Sequence, residues 1–169
     1  KEFETKFENY LKSTGKAFGV TSGASAIELA AALLNLKPSD EIIIPAHTYC
    51  ATALPFTRYR SKIKWADIDL NTMTISLTHL KKLINKNTKA IVVVHLYGLP
   101  VNMNKIKEIT RKKKIIIIED CAQSLGAEIN KKKTGNFGDF GIYSLHAQKN
   151  ITTLGEGGIL LVNNKKFQK

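Results

Sequence analysis

Three stretches of this chain are apolar without interruption: Ile42-Ile43-Ile44, Ile91-Val92-Val93-Val94 and Ile115-Ile116-Ile117-Ile118. A strand with one face in water alternates apolar and polar residues, and these do not. Strands apolar on both faces belong to a parallel sheet covered by helices on each side. Seven segments read as strands: Ala17–Ser22, Glu41–Pro45, Lys62–Ile68, Ala90–Leu96, Ile115–Asp120, Phe140–His146 and Gly158–Asn163.

Helical patterns lie between them. Phe3, Phe7, Tyr10 and Leu11 fall on one stripe, as do Leu77, Leu80, Leu83 and Ile84, and then Met103, Ile106 and Ile109 after the cap residue Asn102. Ser25–Leu36 is apolar nearly all round, which predicts a buried helix stopped by Lys37-Pro38. Thr48–Arg60 is the weakest helical pattern, because Pro55 falls inside it. A helix, then alternating strands and helices, then three strands predict one α/β domain: a mostly parallel seven-stranded sheet with helices on both faces. Gly-rich turns join the last strands, which fits an antiparallel strand near the end.

Composition removes several alternatives. At 43% hydrophobic and 24% charged, the 169 residues are globular rather than disordered. No apolar run approaches the roughly 20 residues that span a bilayer, so no membrane is expected as a partner. The opening KEFETKFENYLK is charged and amphipathic, without the apolar core of a secretory leader. Cys50 and Cys121 are too few for a disulfide framework or a zinc site, which sets a cytoplasmic expectation. The net charge of +12 invites nucleic acid, but 23 of the 26 basic residues are Lys, and base reading leans on bidentate Arg. Arg111–Lys114 closes a predicted helix and Lys131–Lys133 sits in a predicted loop, so solvated lysine is the better reading.

In open α/β sheets ligands bind beyond the carboxyl ends of the strands. The residues just after the apolar runs are Thr21-Ser22-Gly23-Ala24-Ser25, Pro45-Ala46-His47-Thr48-Tyr49, His95-Leu96-Tyr97-Gly98, Glu119-Asp120-Cys121-Ala122-Gln123 and Ser144-Leu145-His146-Ala147-Gln148-Lys149. Ser22–Ser25 at a helix start suits a phosphate or an ordinary cap by Ser22 or Ser25. Asp120 after four isoleucines must be paired or solvated, as a helix cap or a ligand partner. His95 and His146 read as core histidines, and no cluster has metal spacing. Together, a helix N-terminus for phosphate, an aromatic, a strand-end carboxylate and a lysine are the parts that hold pyridoxal 5'-phosphate (PLP).

Those segments, with Val94-His95-Leu96-Tyr97-Gly98, Gly138-Asp139-Phe140 and above all Ser144 to Gly158, resemble the DegT/DnrJ/EryC1/StrS aminotransferases along nearly the whole chain. The resemblance implies the large domain of a PLP-dependent transferase of fold type I, similar to aspartate aminotransferase. It covers residues 1–169, with the C-terminal small domain of a longer enzyme absent. It implies transfer of an amino group from an amino acid donor, by habit glutamate, to a nucleotide-linked keto sugar, in a homodimer. The alternative it leaves is a truncated, non-catalytic PLP-binding domain.

By the same resemblance Lys149 is the Schiff-base lysine and proton shuttle, Asp120 the partner of the pyridine nitrogen, Gln123 a neighbour of the phenolic oxygen, and Tyr49 the stacking ring. Ala24, Ser25 and Ser144 would hold the phosphate. Ala24 stands where Thr is frequent, Leu145 where Phe is common, and Leu154 lengthens the turn before Gly155-Glu156-Gly157-Gly158. Relatives that dehydrate sugars carry His at the lysine position, and Lys149 argues against that branch.

Overall fold

The computed structural model describes residues 1–168. The strands are β1 (Lys16–Val20), β2 (Glu41–Pro45), β3 (Lys62–Ala66), β4 (Thr88–Val94), β5 (Ile116–Asp120), β6 (Glu128–Ile129), β7 (Lys132–Lys133), β8 (Phe140–Ser144) and β9 (Gly158–Val162). The α-helices are α1 (Glu2–Leu11), α2 (Gly23–Leu33), α3 (Leu54–Thr57), α4 (Leu77–Leu83) and α5 (Met103–Thr110). Seven strands form one sheet in the order β1-β9-β8-β5-β4-β2-β3. β3, β2, β4, β5 and β8 run parallel, and β9 is antiparallel to both of its neighbours. All seven expected strands are present.

The uninterrupted runs are explained by what covers each face. Ile42, Ile44, Val92, Val94 and Ile118 pack under α2 and α3, whereas Ile43, Ile91, Val93 and Ile117 pack under α4 and α5. Helix α1 covers the far end of that second face, with Phe7 and Leu11 on Tyr143, Ile159 and Leu161. Fully burying each such side chain is worth about 1.5–3 kcal/mol, which is why both faces must be closed. α1 also closes the β1 edge: Glu8 and Glu4 carboxylates accept from the Ala17 and Gly19 N–H groups, both at 2.8 Å.

Four expectations are corrected. Thr48–Arg60 is not one helix but a 3₁₀ turn at Cys50–Thr52 and the single turn α3, because Pro55 has no N–H to continue a ladder and fits only near a helix start. α2 is not buried all round, since Leu29 and Leu33 on its outer side are 45% and 42% exposed. Lys131–Lys133 is not a plain loop: β6 and β7 form a hairpin whose tip, Asn130-Lys131, has both φ values positive. Lys133 there pairs with Glu128 at 2.8 Å and Lys132 lies over the Phe137 ring, so two of these cations are used locally. His146 lies past β8 and is half-buried rather than core.

Candidate active site

β5 ends in two acids, and strand alternation sends them to opposite faces. Glu119 is wholly buried on the α1 side, where its carboxylate accepts from the N–H groups of Gly135 (2.9 Å), Phe137 (2.6 Å) and Gly138. His95 Nε2 adds a fourth contact at 3.0 Å. His95 Nδ1 accepts from the Val101 N–H, which makes Nε2 the protonated nitrogen facing Glu119. His95, Glu119 and Cys121 lie close enough to suggest a metal trio, but the carboxylate is already engaged by these donors. It is the reading of His95 as a satisfied core histidine that the geometry matches.

Asp120 faces the other way, into a cavity of about 770 Å³ at the carboxyl ends of β2, β4, β5 and β8. A second cavity of about 550 Å³ lies at the opposite end of the sheet, among Asp40, Lys86, Lys89 and Lys113. The first is where an open α/β sheet places its chemistry. It brings together Ala24, Tyr49, Asp120, Gln123, Ser144 and Lys149, with Thr48, Thr52, His146, Gln148 and Glu156 beside them.

The α2 N-terminus meets this cavity because two glycines permit a close approach. A Cβ at Gly23 would lie 3.0 Å from the Ser144 Cβ, and one at Gly158 would run into the Ser22 carbonyl. Gly23 and Ala24 are the first two helical residues, whose N–H groups have no acceptor within the helix. Ser22 caps the helix, its hydroxyl accepting from the Ser25 N–H at 3.0 Å. Ser25 therefore differs from Ala24: its N–H is engaged, its hydroxyl contacts Thr21 and Ser22, and it is not among the cavity's lining residues.

Gln123 is oriented by Tyr97. The Tyr97 N–H donates to Gln123 Oε1 at 2.9 Å, from a backbone held at φ 54°. The amide oxygen being taken, the NH₂ end is what remains as donor. Tyr49 precedes the 3₁₀ turn at the rim and is 72% exposed. Lys149 is half-buried in the loop between β8 and β9, which is pinned at its neck by Leu145 N–H to Gly157 O and Ala147 N–H to Gly155 O, both 2.8 Å. Leu154, in the same loop, sits at φ 63° and is almost fully exposed.

Asp120 accepts from the Ala122 N–H at 3.1 Å and the Thr52 hydroxyl at 2.8 Å. Burial nonetheless raises its carboxyl above the ordinary range; the two hydrogen bonds, His95 and Lys149 offset this only in part. The folded chain thus holds this proton more tightly than the unfolded one. The stability tied to it is present below the ordinary carboxylate range and is lost as pH rises through the raised value. Asp120→Asn is expected to raise the melting temperature of the chain without ligand by a few degrees at neutral pH and by nothing in acid. Identical melting of both proteins at pH 7 would refute this.

Nothing in the local pattern marked Thr52, a threonine in an apolar stretch whose partner lies 68 residues away. Nor did it show His146 and Glu156 facing one another at 3.4 Å across the loop neck. Asp139, noted only as part of Gly138-Asp139-Phe140, holds the Ile117 N–H at 2.8 Å and is structural.

The whole chain has close relatives. GDP-perosamine synthase of Vibrio cholerae is 35% identical over 162 residues, which are 96% of this chain and 44% of that protein. UDP-N-acetyl-3-dehydro-alpha-D-glucosamine 3-aminotransferase of Acidithiobacillus ferrooxidans is 35% identical, over 94% of this chain and 43% of its own. The solved structure of E. coli GDP-4-keto-6-deoxy-D-mannose-3-dehydratase with bound hydrated PLP superposes with a TM-score of 0.93 at 36% identity, covering 98% of this chain and 44% of that one. The chain spans under half the length of these relatives. Matched from residue 1 to residue 169 by the family model, it belongs to the DegT/DnrJ/EryC1/StrS aminotransferase family.

Proposed function

We propose that these residues are the cofactor-binding large domain of a PLP-dependent aminotransferase that moves an amino group from an amino acid donor, by family habit glutamate, to a nucleotide-linked keto sugar. The observation that carries this is the convergence of Asp120, Lys149 and the open α2 N-terminus in one cavity. The donor set fits the cofactor. The N–H groups of Gly23 and Ala24 and the Ser144 hydroxyl suit a phosphate at a helix start, with Ser25 placed behind them. Asp120 keeps a buried carboxylate for a protonated ring nitrogen, whose positive charge would relieve the cost of its burial. Gln123 offers an N–H donor to the phenolic oxygen, Tyr49 an aromatic face, and Lys149 a primary amine as covalent tether.

Bound PLP supplies an electron-withdrawing ring that lets an amino group leave one carbon and be rebuilt on another. Lys149 Nζ takes the proton from the donor's α-carbon and returns one to the sugar carbon, and its primary amine, unlike an imidazole, also forms the covalent tether. Two unpaired cysteines fit a cytoplasmic setting, and the uncovered Leu29, Leu33 and Leu54 fit a homodimer. Among the described residues no helix is long and apolar enough to cross a membrane.

A second reading, binding without turnover by these residues alone, rests on the chain spanning under half of its relatives. One experiment separates the two. The chain, and any longer protein containing it, is loaded with PLP and mixed with glutamate. Conversion of the visible band to that of pyridoxamine phosphate supports transamination; a visible band that persists supports binding alone. No visible band at any PLP concentration overturns both.

A further inference from the structure

The cavity holds one polar chain whose role none of the contacts above explains. Thr52 is 1% exposed, and its hydroxyl lies 2.8 Å from Asp120 Oδ2 and 2.9 Å from the Thr48 hydroxyl. An ionised carboxylate only accepts, so the Thr52 proton goes to Asp120 and Thr48 donates to Thr52 Oγ1. The hydrogen bonds therefore run in one direction, from the rim of the cavity to the strand-end acid. The Thr52 N–H, in turn, donates to the Tyr49 carbonyl at 3.0 Å, closing the turn that carries Tyr49. On the far side, Asp120 Oδ1 is fixed by the Ala122 N–H.

From this geometry we infer that Thr52 is a positioning residue that locks the Asp120 carboxylate in one rotation and ties to it the turn bearing Tyr49. The inference rests on the reading of the cavity as a PLP site. A planar ring placed there would meet Asp120 at its edge and Tyr49 on its face, and both must keep register for the ring to be held in one orientation. A single hydroxyl supplies that register, across 68 residues of sequence. Valine has the same shape and lacks only the hydroxyl, so packing and positioning make different predictions.

The test compares PLP binding to the full chain in wild type, Thr52→Val, Thr52→Ser and Thr48→Val. Loss of a hydrogen bond to a charged group should raise the Kd for PLP about tenfold in Thr52→Val, with Thr52→Ser within about twofold of wild type. Two further readouts are insensitive to packing alone. Circular dichroism of the bound PLP band, which reports a fixed ring orientation, should fall in Thr52→Val and persist in Thr52→Ser. The acid limb of PLP binding should move up by about one pH unit in Thr52→Val, because the charged form of Asp120 loses a donor. The other titratable groups acting on or beside Asp120 are His95 from the end of β4, Lys149 from the loop after β8, and Cys121 next along its own strand end. All three are unchanged in these variants, so the shift reports the hydroxyl.

Wild-type affinity, dichroism and acid limb in Thr52→Val would overturn the proposal while leaving the PLP site intact. Equal losses in Thr52→Ser and Thr52→Val would also overturn it, by assigning the effect to the methyl group. Should Thr52→Val fail to fold, Thr48→Val decides: a smaller shift in the same direction supports the chain of hydrogen bonds, and no shift overturns it. A wild-type chain that binds no PLP overturns this inference together with the reading on which it rests.

Discussion

Replacing Lys149 by alanine is expected to abolish covalent retention of PLP. Borohydride treatment of the PLP-loaded wild-type chain should leave a stable mass addition on the peptide containing Lys149, and the variant should show none. In a longer protein competent for turnover, activity should fall by at least about 10³-fold, since one residue serves as both tether and proton carrier. Lys149→Arg tests the chemistry rather than the charge: it keeps a cation in the half-buried loop but cannot be deprotonated. Arginine should therefore be as inactive as alanine. Retention of the adduct in either variant would remove Lys149 from the role and point to another of the 23 lysines.

The largest loss of stability should come from Glu119, one residue from the site. Glu119→Ala strips the acceptor from three backbone N–H groups and from His95, at a carboxylate and an imidazole that are themselves fully buried. Each orphaned donor costs about 1–3 kcal/mol, and here four lose their acceptor together. Against a total stability of about 5–15 kcal/mol, the expected result is a chain that is largely unfolded or survives only at low temperature. Glu119→Gln should be milder, because its carbonyl still accepts while its NH₂ opposes the His95 proton. Denaturant unfolding of the two variants measures this; a loss below about 1 kcal/mol for alanine would show that water reaches the Gly135–Gly138 loop.

These two acids, side by side, show what could be read in advance. Asp120 stood out because a carboxylate after four isoleucines demands a partner. The same reasoning applied to Glu119, yet nothing in the local pattern separated structural from functional, because their partners come from residues 95, 135–138 and 52. The strands of the main sheet were legible to within two residues at either end, since unbroken apolar runs have few other uses. Thr48–Arg60 was not, because Pro55 left its apolar residues free to form either a bent helix or two separate turns. The hairpin at β6 and β7 escaped notice because two-residue strands carry no periodicity. Ser25 illustrates a different limit: sequence placed it at a helix start, but which of Ser22 and Ser25 caps depends on the backbone entering the helix.

The sequence by itself determined the parallel sheet, its two covered faces and the edge along which polar residues collect, because burial and side-chain period are local properties of the chain. Its motifs also carried the family resemblance. Only the tertiary structure decided which of those polar residues share a cavity and which are spent on holding it. It sent Glu119 to one face and Asp120 to the other, turned the Gln123 amide through Tyr97, and seated Thr52 against Asp120. Hydrogen-bond partners tens of residues apart are set by how strands and loops come together, and no window along the chain contains both.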